Sequence, residues 1–136
     1  MAMEMLIPKH GAEKLFDQLV RYYENLYPGV KFGKEERELT PEEIGEIYYT
    51  YPGEESEATF AEKVAAISDA IKYGYDAPII ILRKEGKLIL LDGHRRLKVA
   101  WDKGLKWKAL IMTPDREVKF GIEKMITGKI KELWTR

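Results

Sequence analysis

Two uninterrupted apolar runs, Ile79-Ile80-Ile81-Leu82 and Leu88-Ile89-Leu90-Leu91, stand on either side of the charged turn Lys84-Glu85-Gly86-Lys87. A run of four Ile and Leu residues without polar alternation leaves no face for water, and its short length favours a buried strand over a buried helix. Pro78 precedes the first run and Asp92-Gly93 ends the second, which are strand-boundary signals. A hairpin through the middle of a sheet is predicted. The rest of the chain has to cover it.

The flanking sequence supplies the cover. Ala12, Leu15, Phe16, Leu19, Tyr22, Tyr23 and Leu26 recur at helical spacing and predict a first helix over Gly11 to about Tyr27, stopped by Pro28-Gly29. A polar stretch, Lys31 to Glu38, carries no element signal. Thr40-Pro41-Glu42-Glu43 is a capping box with proline at the first helical position, opening a short helix before the β-prone Tyr48-Tyr49-Thr50-Tyr51. Thr59-Phe60-Ala61-Glu62 reads as a second capping box, followed by the stripe Phe60, Val64, Ile67 and Ile71 and closed by Gly74. After the hairpin, His94 to Lys103 predicts a helix stopped by Gly104, and Trp107 to Met112 a third strand. A last helix is expected from Thr113-Pro114 to the C-terminus, with Val118, Ile122, Met125, Ile126, Ile130, Leu133 and Trp134 at helical spacing and a break near Gly128. The expected class is α+β, a small mixed β-sheet flanked by helices.

The 136 residues suit one domain, with 45% hydrophobic residues to build its core. Absence of cysteine excludes disulfides, thiolate zinc sites and cysteine nucleophiles. No apolar run is long enough to span a bilayer, and Met1 to Pro8 lacks the pattern of a signal peptide, so a cytoplasmic protein with no membrane partner is expected. Abundant Lys and Glu with a single Gln18 and a single Asn25 suit a thermophilic source. Net charge is zero, which argues against a protein that coats duplex DNA. The charge is unevenly spread: residues 1–70 hold 7 Lys and Arg against 15 Asp and Glu, and residues 71–136 hold 16 against 8. An anionic partner would meet the second half.

Chemistry concentrates at Asp92-Gly93-His94-Arg95-Arg96, where strand gives way to helix. The first N–H groups of a helix are unpaired and point the same way, and with the positive end of the dipole they favour an anion. Gly93 would let a ligand approach the backbone, Arg95 and Arg96 offer guanidinium forks to phosphate oxygens, and His94 can donate to a phosphate or shuttle a proton. Asp92 is a candidate Mg²⁺ contact or helix cap. Cationic side chains oppose the dipole at a helix start, so a purely structural helix would favour Glu there.

The segment Leu88 to Ala100, with Gly74, Pro78 and the apolar strand before it and Gly104 and the strand to Met112 after it, resembles the N-terminal domain of the ParB/sulfiredoxin superfamily over about residues 37–113. The resemblance implies a core at 37–113, with a helical extension at 1–36 and a C-terminal helix at 114–136. Its members include partition proteins that bind CTP at a Gly-x-Arg-Arg segment, sulfiredoxins, and archaeal free-serine kinases with an Asp-Gly-His-x-Arg segment. Gly93, Arg95 and Arg96 match the phosphate-binding segment, with His94 where the partition proteins have Glu. Sulfiredoxin chemistry is excluded by the missing cysteine. Similarity to the kinases implies Glu54, in Pro52-Gly53-Glu54, as a catalytic base acting beside His94.

Glu54, Glu55 and Glu57 form an acidic loop that is either solvated surface or, folded over the phosphate site, the source of a general base. The Tyr22-Tyr23 and Tyr48-Tyr49-Tyr51 groups either stack bases or belong to the core. The combined expectation is a nucleotide-binding phosphotransferase or nucleotidase. It would hold ATP, ADP or CTP at Asp92 to Arg96 with Mg²⁺ at Asp92, and act on a small hydroxyl-bearing acceptor. The alternative is a non-catalytic module for DNA or a protein partner.

Overall fold

The computed structural model describes residues 6–54 and 56–135. It is a mixed α/β structure built on one six-stranded sheet, with the apolar hairpin near its centre. The hairpin strands are β3 (Ile79–Lys84) and β4 (Lys87–Asp92), following β1 (Phe32–Leu39) and β2 (Tyr48–Thr50) and preceding β5 (Trp107–Pro114) and β6 (Ile126–Lys129). Their order across the sheet is β1-β5-β3-β4-β2-β6. β3 pairs antiparallel with β4 and parallel with β5, β4 is parallel to β2, and β1 and β6 close the edges antiparallel to β5 and β2. The hairpin turn puts Glu85 at φ 50° and Gly86 at φ 78°, the left-handed pair of a type I′ turn.

The apolar runs are explained by cover on both faces. Ile79, Ile81, Leu90, Ala109 and Ile111 pack on one side, with Ile44 of α2 (Pro41–Gly45), Ile67 of α3 (Glu57–Ala70), and Leu97 and Trp101 of α4 (His94–Lys103). Ile80, Leu82, Ile89, Leu110 and Met112 pack on the other, against Phe16 and Tyr23 of α1 (Lys9–Leu26). Alternate side chains of each strand thus enter separate cores, and a polar residue at either parity would be buried. Tyr23 and Tyr49 belong to these cores.

Three expectations are corrected. The polar stretch Lys31–Glu38 is largely the edge strand β1, paired residue for residue with β5, so a boundary between residues 36 and 37 would fall inside a strand. Leu39 is its one fully buried residue, and charged side chains on an exposed edge also deter pairing with other chains. The third helix starts at Glu57, capped by Ser56, whose Oγ accepts from Thr59 N at 3.1 Å. The C-terminal helix over 114–136 is replaced by an irregular stretch, a 3-10 segment (Gly121–Met125), β6 and the one-turn α5 (Ile130–Leu133). Val118, Ile122 and Ile126 pack on the α1 side and Ile130 and Trp134 on the α4 side, because the chain crosses the edge of the sheet as β6. Side chains with helical spacing therefore serve opposite faces.

Candidate functional site

The helix α4 begins at the end of β4, in the interior of the sheet, and its first intrahelical bond is Leu97 N to Gly93 O at 2.8 Å. The amides of His94, Arg95 and Arg96 lie ahead of that bond, and Gly93, at the N-cap, has no side chain to offer them. Asp92 does not act as a cap: its Oδ2 accepts from Arg96 Nη2 at 2.7 Å.

The two arginines have different surroundings. Arg96 is buried, and its Nη1 donates to Pro78 O at 3.0 Å while Nη2 reaches Asp92. Its guanidinium ties the end of β4 to the segment entering β3. Arg95 is half-buried and lines two clefts that flank the helix start. Gly93 also has a structural reason. Its φ is 104°, and a Cβ there would sit 2.6 Å from Ile79 Cγ2, so the turn requires glycine whether or not a ligand binds.

One cleft, of about 210 Å³, lies between α4 and α3, where Lys63, Ile67, Tyr75 and Ile7 face Asp92 to Arg96. The charged residues lining it are Lys63, Arg95 and Arg96 against Asp92, an excess of positive charge suited to an anion. The other, of about 530 Å³, is walled by Tyr51, Pro52, Gly53, Phe60 and Met125 and shares Asp92, His94 and Arg95 with the first. Tyr51, half exposed at 50%, is held beside Met125 by a backbone bond from its N–H to Met125 O at 2.9 Å. Tyr51 to Gly53 thus lie on the side of the helix start, and Glu54 follows them, exposed. Glu55 lies outside the described residues.

His94 lines both clefts. Its Nε2 is 3.2 Å from the hydroxyl of Thr50, which itself donates to Leu90 O at 2.8 Å. Burial pushes the imidazole pKa below its ordinary value; Asp92 pulls it back up, Arg95 and Arg96 push it down, and the backbone carbonyl of Thr50 raises it. The net direction is downward, so neutral imidazole is favoured near neutrality. Tyr75, whose hydroxyl donates to Ile7 O at 2.8 Å, has its pKa raised by burial, with Arg96 opposing.

Thr50, Lys63 and Tyr75 join the site without a sequence signal. Each belongs to a segment read for its secondary structure; Thr50 meets His94 across 44 residues of chain and Tyr75 meets Arg96 across 21, while Lys63 lines the same cleft. Among the described residues no group of three or more His, Asp or Glu side chains gathers as a metal site would. No helix among them is long and apolar enough to cross a membrane.

No family model, no curated protein and no solved structure matches this chain.

Proposed function

We propose that the chain binds the phosphates of a nucleotide at the start of α4 and catalyses phosphoryl transfer to a small hydroxyl-bearing acceptor or to water. The observation that carries this reading is the opening of α4 onto two clefts, with its first-turn amides uncapped by Asp92 and with Arg95 and Lys63 beside them. An anion there meets backbone donors, the dipole and two cationic side chains. The likeness of Gly93, Arg95 and Arg96 to the phosphate-binding ParB-like segment points the same way.

In this reading the phosphates lie against the amides of His94 to Arg96 and the guanidinium of Arg95. Arg96 supports the site from behind through Asp92 and Pro78. Magnesium fits as an ion brought by the nucleotide: Asp92 has one carboxylate oxygen on Arg96, and a site of one carboxylate plus phosphates is ordinary for Mg²⁺, which would neutralise charge on the transferred group. Glu54 and His94 are the two groups available to take a proton from the acceptor.

Thermal-shift measurements with ATP, ADP, CTP and GTP, each with Mg²⁺, test the reading. At ~100-fold above Kd the stabilisation is about 2.7 kcal/mol, roughly 10 °C for a domain of this size. Arg95→Ala should weaken binding by about 1.5–3 kcal/mol, the range for a lost hydrogen bond to a charged group, and Arg95→Lys should recover only part of it. A wild-type protein that no nucleotide stabilises, yet is retained on DNA, would sink the proposal.

A further inference from the structure

Thr50, at the end of β2, is 1% exposed, and its hydroxyl has two neighbours: Leu90 O at 2.8 Å and His94 Nε2 at 3.2 Å. A carbonyl oxygen can only accept, so a 2.8 Å approach of two oxygens requires the hydroxyl proton to lie between them. Only lone pairs of Oγ1 then remain for the imidazole. His94 Nε2 must carry a hydrogen, and in the neutral ring Nδ1 is the unprotonated nitrogen. The ring is also held edge-on to Tyr49, with centroids 5.3 Å apart and planes at 84°, and Tyr49 is braced in turn by Trp134 at 4.8 Å.

We propose that Thr50 is a positioning residue that locks His94 in the Nε2–H tautomer, making Nδ1 the atom that accepts the proton of the phosphate acceptor. The tautomer stands on the contacts alone, and the role in transfer rests on the function proposed above. In the step, a lone pair of the acceptor oxygen forms the new bond to the terminal phosphorus. The bond from that phosphorus to the bridging oxygen breaks, with its electron pair leaving on the nucleoside diphosphate. The acceptor's hydroxyl proton passes to Nδ1, giving an imidazolium that later releases it to solvent.

The first test is a long-range ¹H–¹⁵N correlation spectrum of the full chain without ligand at neutral pH. The chain has two histidines, so a His94→Gln spectrum assigns the signals. His94 should show a protonated Nε2 and an unprotonated Nδ1, and the opposite tautomer would overturn the proposal. Thr50→Val, which keeps the shape and removes the hydroxyl but not the Thr50 backbone carbonyl that also faces the ring, should weaken the Nε2–H preference, and Thr50→Ser should restore it; an unchanged tautomer ratio in Thr50→Val would overturn the positioning role. In nucleotide turnover, Thr50→Val should lower kcat by about tenfold or more with KM little changed, with recovery in Thr50→Ser. Wild-type kcat in a folded His94→Gln, or loss of turnover confined to Glu54→Gln, would assign the proton to another group and end the proposal. If the wild type turns over no nucleotide, the phosphoryl-transfer reading and the proton role fall together, while the spectrum still decides the tautomer.

Discussion

Replacing Arg96 by alanine would leave Asp92 without its cation and Pro78 O without its donor, both at the base of the α4 turn. Loss of one partner of a fully buried pair costs about 3–5 kcal/mol. Asp92 keeps 36% of its side chain in water, so we expect about 2–3 kcal/mol, measured by chemical denaturation, with Arg95→Ala close to the wild type in stability. A stable Arg96→Ala that had lost only nucleotide binding would return Arg96 to the phosphate. The sequence presents Arg95 and Arg96 as a pair, yet consecutive residues of a helix are turned by about 100° and cannot share a face. With Leu97 and Ala100 fixing the inward side, Arg96 was legible as the inner arginine. Its partners were not, because Pro78 O is reached only after β3 and β4 pair. Gly93 was legible as special but for a different reason: the space its missing Cβ leaves is filled by Ile79.

At the scale of elements, the third helix allows a direct comparison of caps. Ser56 Oγ accepts from Thr59 N and donates to Thr59 Oγ1 at 2.8 Å, so Ser56→Ala should cost about 1 kcal/mol, and Thr59→Ala a smaller amount. The denaturation midpoint at constant slope reads both, and a larger loss in Thr59→Ala would restore the cap to the later residue. Both residues fit an N-cap by type, and Glu62 at the right spacing made Thr59 the better capping box. The structure gains three more residues of helix by starting earlier. The hairpin was legible because every level agreed: apolar runs of equal length and a turn whose second residue is glycine. β1 was not, since only Leu39 of its eight residues is buried and its partner β5 lies some 70 residues away in sequence. The C-terminal stretch failed for a related reason: Val118, Ile122, Ile126 and Ile130 repeat every four residues, and only the sheet edge shows that they divide between two cores. Gly128, at φ 149° with Leu133 Cδ2 3.2 Å from where a Cβ would be, marks the strand that sequence spacing hides.

Across the whole molecule, charge is balanced in sum and uneven in sequence, and the two ligand classes open to an anion site respond to it differently. A protein that neutralises Z phosphates of duplex DNA loses affinity with a slope of about −0.9Z in log[salt], so it needs a broad basic surface to hold DNA at physiological salt. Here the positive residues beside the start of α4 are few, and many others are paired: Lys84 with Glu123, Arg37 with Glu43, Arg83 with Glu35, and Lys129 and Lys131 with Glu46. The last pair of contacts holds the Glu46 carboxyl down to about pKa 2, so its countercharge persists throughout the physiological range. A mononucleotide asks less, because its phosphates fit one helix start and one or two cations. Binding of a nucleoside triphosphate with Mg²⁺ should therefore survive from ~50 to ~200 mM salt with a modest loss, whereas any retention on duplex DNA seen at the lower salt should vanish at the higher. Titration of both ligands across that range, followed by fluorescence polarisation, makes the comparison. DNA affinity that persists at ~200 mM with a steep slope would require many phosphate contacts, which Arg95 and Lys63 alone cannot supply, and would move the site from the cleft at α4 to an extended face of the protein.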